Sequence, residues 1–267
     1  MYEEMYAPLP DCEAYAKRIG MPWPLTPDLP TLDRIVFQHQ CQVPFENMEP
    51  YDEGRQPSLD IPALFDKVVT RRRGGFCFEL NAALCAFLQG VGYDAWSVTC
   101  RIVRGRDFLP PMLHRAVVVR LDGTDYYCDV GYGGPQPGGP VPLGRERVVC
   151  GESFWVEPLE EPWWRLCRIT SQGVRENVIE FPNLPMTATY FIPYNYYCAA
   201  NPGSLFAQKR VINLRTAEGS LALTGTTFTE RRGGETMETE LHTREEVSAV
   251  LRDRFGLEME PEALRWE

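Results

Sequence analysis

The spacing of apolar residues divides the chain into a helical first part and an extended middle part. Two sets of apolar residues before position 92 recur at helical spacing: Ile61, Leu64, Phe65 and Val68, and then Leu80, Leu84, Phe87, Leu88 and Val91. Asp11 precedes a further helix that should stop at Gly20, and Gly92 should end the helix that follows Cys77. The first ninety residues therefore predict a helical unit.

From about Ala95 the apolar residues alternate with polar or small ones, which is typical of strands. The alternating residues are Trp96, Val98, Cys100 and Ile102. Asp122-Gly123, a strong hairpin signal, separates the strand-like segments 116–121 and 125–130. A Gly/Pro loop follows at 131–140, and further strands are expected at 163–170 and 174–181. The middle of the chain is predicted to be mainly β.

The last part, after about Asn201, mixes the two patterns. Residues 221–228 resemble one strand. A helix should begin after Thr243, with Glu246 as its capping-box partner, and end at Gly256. Together the three parts indicate an α+β fold.

Composition narrows the classes of partner. The formal net charge is −10 and the pI is about 5.0, which argues against binding a nucleic acid because such binding depends on clusters of Lys and Arg. A small polyanion can still bind to a few local cations. The basic residues that could serve are Arg101, Arg104, Arg106, Lys209 and Arg210.

The chain starts with an acidic segment and contains no apolar run of membrane-spanning length, so we expect a cytoplasmic protein without a membrane partner. Its nine cysteines form an odd number and include no Cys-x-x-Cys pair. Neither a disulfide framework nor a metal site is therefore predicted.

Cys77 differs from the other cysteines in its position. It follows the flexible pair Gly74-Gly75 and stands where a helix should begin. The unpaired amides and the positive dipole end of a helix N-terminus favour a thiolate over a thiol. Cys77 is therefore a candidate nucleophile.

A base for this nucleophile must be one of three histidines. His39 falls within a predicted helix and His242 precedes a helix cap, so both are expected to be structural or surface residues. If Asp122-Gly123 forms a two-residue turn, His114 becomes the diagonal neighbour of Asp129, with their Cβ atoms about 7–8 Å apart. An imidazole and a carboxylate can meet across that distance.

A thiol, an imidazole and a carboxylate are the nucleophile, base and orienting group of acyl-transfer chemistry. The residues alone predict a cysteine-dependent acyltransferase or hydrolase. The same set would serve a cysteine protease, a transglutaminase or a thioester hydrolase, so the substrate stays open at this level.

Four segments, in order, resemble the arylamine N-acetyltransferase family. They are Val43-Pro-Phe-Glu-Asn-Met48, Arg73-Gly-Gly-Phe-Cys-Phe-Glu-Leu-Asn81, the strand opened by His114, and Asp129-Val-Gly-Tyr-Gly133. The second segment is highly specific. The chain departs modestly from the family pattern, with Met48 in place of a frequent leucine and with Pro110-Pro111 before His114.

The resemblance implies an architecture in three parts. These are a helical bundle over 1–92 carrying the nucleophile, a β-barrel over 93–200 carrying the base and the acid, and an α/β lid over 201–267. The cysteine core would be similar to that of papain and the transglutaminases.

The resemblance also implies roles for individual residues. Cys77, His114 and Asp129 would be catalytic, and Phe45 and Tyr132 would line the amine pocket. Gly133 and Ser204 would lie near coenzyme A, but the match at Ser204 is loose and a simple turn serine is the preferred interpretation there.

The implied reaction transfers acetyl from acetyl-coenzyme A, a co-substrate, through a Cys77 thioester to an aromatic amine, hydrazine or arylhydroxylamine. No metal is required. An amide synthase of the same fold that closes a macrolactam, and a cysteine hydrolase, are the alternatives.

Overall fold

The computed structural model describes residues 2–170 and 172–266. Its helices are α1 (Cys12–Arg18), α2 (Leu29–Gln42), α3 (Met48–Tyr51), α4 (Ile61–Phe65), α5 (Cys77–Val91), α6 (Ile192–Ala200), α7 (Leu205–Gln208) and α8 (Arg244–Phe255). Its strands are β1 (Phe45–Glu46), β2 (Asp94–Ile102), β3 (His114–Leu121), β4 (Thr124–Cys128), β5 (Val141–Pro142), β6 (Glu146–Val149), β7 (Glu152–Pro158), β8 (Trp163–Ile169), β9 (Arg175–Pro182), β10 (Val211–Thr216), β11 (Gly219–Thr224), β12 (Thr227–Arg232) and β13 (Glu235–Glu240). The predicted α+β class is confirmed.

In the helical first part, α1 begins after Asp11 and α5 ends at Gly92, as the sequence predicts. The Asp11 carboxylate accepts a hydrogen bond from the amide of Ala14 at 2.9 Å and caps α1. Helix α5 ends at Gly92, whose φ of 108° is a left-handed conformation that a glycine adopts without strain. The helices bury their apolar faces in one core, in which Leu84, Phe87 and Leu88 of α5 are fully buried.

Eight strands of the middle part form one sheet in the order β5-β4-β3-β2-β9-β8-β7-β6. The sheet is nearly closed, since Leu143, just after β5, bridges to Val156 of β7. Side chains alternate along its strands: Ala116 and Val118 of β3 fill the barrel, whereas Val117 faces the core that contains α5. The barrel therefore has its own interior and shares its outer surface with the helices.

The Asp122-Gly123 hairpin is confirmed with its register. Leu121 pairs with Thr124 and Val117 with Cys128, so the next pair in the same register is Ala116 and Asp129. Both turn residues have positive φ, as a two-residue turn that matches strand twist requires.

A second sheet has the order β1-β10-β11-β12-β13 and packs against α8. The single strand expected at 221–228 is wrong. The segment is the end of β11, a turn at Gly225, and the start of β12. Thr243 accepts a hydrogen bond from the amide of Glu246 at 3.1 Å, and Gly256 ends α8 in a left-handed conformation, as predicted.

Strand β1 belongs to this second sheet although it lies far earlier in the chain. Phe45 pairs with Asn213 and Glu46 with Ile212 of β10. Phe45 also forms a parallel bridge with Gly75, just before the helix that begins at Cys77. The second sheet is thus joined by backbone pairing to the segment that leads into α5.

No helix among residues 2–170 and 172–266 is both long and apolar enough to cross a bilayer.

Candidate active site

Cys77 is the first residue of α5 and is 3% exposed. The two glycines before it are required by close packing. A Cβ on Gly74 would lie 1.9 Å from the carbonyl oxygen of Pro44, and one on Gly75 would lie 2.8 Å from a carboxylate oxygen of Glu79. The chain therefore enters α5 along a path that larger residues cannot follow.

His114 and Asp129 meet at one end of the barrel. Nε2 of His114 lies 2.7 Å from Oδ2 of Asp129, and both residues are buried. His114 opens β3 and Asp129 follows β4, so the diagonal arrangement expected from the hairpin register brings the two side chains together. Cys77 interacts with His114 through both hydrogen bonding and charge. Because Nε2 is bound to Asp129, Nδ1 is the ring nitrogen that can exchange a proton with Cys77.

Three further groups bind the Asp129 carboxylate. Oδ1 accepts hydrogen bonds from Nδ2 of Asn81 and from the amide of Gly131, both at 2.9 Å. Oδ2, which contacts His114, also accepts a hydrogen bond from the hydroxyl of Tyr127 at 2.8 Å.

Asn81 and Tyr127 were not among the residues predicted from the sequence. Asn81 lies one helical turn after Cys77, and Tyr127 lies two residues before Asp129. Helix and strand periodicity could have placed each on the same side as its neighbour.

Burial and charge act against each other at these groups. Burial lowers the pKa of His114, but Asp129 and Cys77 outweigh it and raise that pKa to about 10. Burial raises the pKa of Asp129, but His114, Asn81 and Gly131 outweigh it and hold that pKa below its usual value. Burial also raises the pKa of the Cys77 thiol, and His114 opposes that rise. Asp129 therefore favours the protonated form of His114, whereas burial favours the protonated form of Cys77.

Phe45, Tyr132 and Gly133 lie around this group. The Tyr132 ring meets His114 edge-on, with 5.9 Å between ring centroids. Phe45 is buried against Phe206, and a Cβ on Gly133 would lie 3.1 Å from its ring. Tyr132 therefore contacts His114, and Phe45 and Gly133 contact each other.

A cleft of about 1070 Å³ opens next to Phe45 and Gly133. Four arginines line it: Arg104, Arg168, Arg215 and Arg231. Of the basic residues that the sequence singled out, Arg104 lies here, whereas Arg210 is buried in an ion pair with Asp52 at 2.5 Å.

Ser204 occupies a helix cap. Its hydroxyl donates to the carbonyl of Cys198 at 2.7 Å and accepts from the amide of Phe206 at 3.3 Å. A role for Ser204 toward coenzyme A stays a prediction.

The other two histidines lie elsewhere. His39 is buried in α2, with Nε2 2.8 Å from the Tyr15 hydroxyl, and burial lowers its pKa to about 3. His242 precedes α8, and its amide donates to Glu246.

A thiol, an imidazole and a carboxylate in buried contact are the groups that cysteine-dependent acyl transfer requires. The sequence profile of the N-acetyltransferase family matches residues 28–264. An arylamine N-acetyltransferase of Mycolicibacterium smegmatis is 30% identical over 262 residues, which cover 93% of this chain and 92% of that protein. Arylamine N-acetyltransferase 2 of Rattus norvegicus is 31% identical over 278 residues, covering 94% and 95%.

Solved structures agree with this. The arylamine N-acetyltransferase of M. smegmatis is similar with a TM-score of 0.86 at 28% identity, over 92% of each chain. That of Mycobacterium marinum in complex with CoA is similar with a TM-score of 0.86 at 26% identity, over 95% of this chain and 96% of that one. The chain is an acyltransferase that belongs to the arylamine N-acetyltransferase family.

Proposed function

We propose that the enzyme transfers acetyl from acetyl-coenzyme A to an aromatic amine by a ping-pong mechanism through Cys77. The observation that carries this proposal is the buried contact of His114 with both Asp129 and Cys77. In the first half, the Cys77 proton moves to His114 and the thiolate attacks the thioester carbonyl. The bond from carbon to the coenzyme A sulfur breaks, and His114 returns the proton to that sulfur.

In the second half, the amine nitrogen attacks the acetyl carbon on Cys77. The nitrogen forms the new amide bond, His114 accepts its proton, and the bond to Sγ of Cys77 breaks. Aromatic amines stay neutral near pH 7, so their lone pair is available without a charged pocket. Phe45 and Tyr132 are proposed to provide the aromatic walls, which would also suit hydrazines and arylhydroxylamines.

Coenzyme A is proposed to enter through the cleft beside Gly133. Arg104 and Arg168 line this cleft and could balance the charge of its phosphates, although both already pair with Glu176 at 3.0 and 2.7 Å. The complex of the M. marinum enzyme with CoA supports coenzyme A as the co-substrate. A contact with Ser204 belongs to the same proposal.

The proposal also includes the three-part division of the chain at residues 92 and 200. It further includes a core like that of papain and the transglutaminases, and a covering role for residues 201–267. Met1 and Glu267, which end these ranges, lie outside the described residues. A cytoplasmic location stays a prediction.

The proposal is tested by incubating the enzyme with acetyl-coenzyme A alone and measuring its intact mass. One persistent acetyl group that maps to Cys77 and transfers to an added arylamine is the expected result. The Cys12→Ser variant, which changes a partly exposed cysteine outside the cleft beside Gly133, is the matched control and should keep the adduct.

Two outcomes would overturn the proposal. Release of coenzyme A without a lasting adduct would indicate a hydrolase, and no reaction with acetyl-coenzyme A would indicate an amide synthase or a protein without catalytic activity.

A further inference from the structure

Tyr127 is a buried polar side chain for which the mechanism above has no use. It belongs to β4 and lies in the barrel interior, where its ring packs against Phe181 at a centroid distance of 5.0 Å. Its hydroxyl donates to the same oxygen of Asp129 that binds His114. One carboxylate oxygen thus serves two donors, a neutral phenol and the imidazole.

The phenol is a permanent donor. Burial and the neighbouring Asp129 charge raise the pKa of Tyr127 well above its ordinary value, so the hydroxyl keeps its proton at any pH at which the enzyme works. The groups facing His114 and Asp129 from the surrounding elements are Cys77 and Asn81 of α5, Cys100 of β2, Tyr127 of β4 and Tyr132 of the following loop. Burial raises the pKa of Cys100 well above its ordinary value, so it stays a neutral thiol.

A hydrogen bond from a neutral donor draws charge from the oxygen that accepts it, and so weakens the attraction of that oxygen for a second, cationic partner. This matters most after Cys77 is acetylated, because the thiolate is then gone and Asp129 alone holds the proton on His114. The imidazole must be neutral at that stage to accept the proton of the amine. Without the hydrogen bond from Tyr127, Asp129 would keep His114 protonated.

We infer that Tyr127 is a positioning residue that limits the pull of Asp129 on His114, so that His114 can lose its proton in the acetylated enzyme. This inference rests on the proposed function. Three partners, His114, Asn81 and the Gly131 amide, still hold the carboxylate when the hydroxyl is removed. Tyr127→Phe should therefore leave Asp129 in place and ionised, and leave more of its negative charge on Oδ2, the oxygen that binds His114.

The first measurement reads the His114 pKa without catalysis. The chain has only three histidines, so ¹⁵N-histidine NMR can follow His114 in a Cys77→Ala background that stands in for a site without a thiolate. Adding Tyr127→Phe should raise the His114 pKa by about 0.5 to 1 unit. Tyr126→Phe, on the opposite face of the same strand, is the matched control and should cause no shift.

The second measurement follows transfer from the acetylated enzyme to an arylamine in a single turnover across pH. Tyr127→Phe with Cys77 intact should move the midpoint of the rate profile to higher pH by the same amount. Substituting 3,5-difluorotyrosine, a stronger donor, should move it to lower pH, which keeps the test open if the Phe variant folds poorly.

An unchanged or lower His114 pKa in the Tyr127→Phe protein would overturn the inference. Because that pKa is read without acetyl-coenzyme A, the result is distinguishable from a failure to form acetyl-Cys77, which would refute the proposed function.

Discussion

Replacing Asp129 with Asn removes the charge that holds the proton on His114 while keeping the shape of the side chain. A carboxylate and an imidazolium about 4 Å apart in a medium of effective dielectric about 20 attract by about 4 kcal/mol, or about 3 pKa units. The pKa of His114, raised to about 10 in the wild type, should therefore fall toward or below its ordinary value. Without an imidazolium beside it, the pKa of the Cys77 thiol should rise.

The assay is alkylation of Cys77 by iodoacetamide across pH, with the modified peptide quantified by mass spectrometry. We expect the midpoint in Asp129→Asn to lie about 1 to 3 units above that of the wild type. Acetyl transfer should fall on the order of a thousandfold or more, because the amide also disturbs the tautomer of His114. Asp125→Asn is the matched control, since Asp125 lies in β4, shortly before Asp129, but pairs with the exposed Arg120. Coincident profiles in two folded proteins would remove Asp129 from the mechanism.

Three further predictions concern other parts of the molecule. Cys77→Ser should keep the fold by circular dichroism but lose acetyl transfer by orders of magnitude, because a hydroxyl is a much poorer nucleophile; a folded, active variant would refute the role of the thiol. Gly131→Ala should lower both activity and stability, the latter by about 1–3 kcal/mol, because its Cβ would lie 2.7 Å from Cα of Cys77. Gly123 has a φ of 75° in an open turn, so Gly123→Ala should lower the free energy of unfolding by roughly 1–2 kcal/mol and leave activity intact. An equal loss of activity in the two variants would refute the prediction for Gly131. The folded-state pKa of His39 is about 3, below its unfolded value of 6.5, so its contribution to stability is present above pH 6.5 and is lost as pH falls. Between pH 6.5 and 5, the free energy of unfolding measured in urea should therefore fall by about 2 kcal/mol less in His39→Gln than in the wild type. An equal fall in both proteins would contradict this prediction.

The sequence predicted most reliably what short-range rules determine. The Asp122-Gly123 turn fixed the register of β3 and β4, and the register brought His114 to Asp129. By contrast, the turn at Gly225 was missed because a single glycine interrupts an otherwise strand-like run without the second residue that marks a hairpin.

Short-range sequence rules could not predict features that depend on the closed barrel or on burial. The sequence could show that Tyr127 shares a face with Asp129, but whether its hydroxyl reaches the carboxylate depends on packing inside the barrel. The helix N-terminus suggested a thiolate at Cys77, whereas its complete burial opposes that form. The pairing of β1 with β10 joins segments far apart in the chain, and no local sequence pattern predicts it.

That pairing has a mechanical consequence. Because Phe45 pairs with Asn213 on one side and bridges to Gly75 on the other, a force applied to the second sheet is transmitted through backbone hydrogen bonds to the residues just before Cys77. The second sheet cannot rotate away from the segment before α5 as a rigid body without breaking those hydrogen bonds. Partial unfolding of the C-terminal part should therefore displace the residues just before Cys77 and abolish activity before the helices and the barrel unfold.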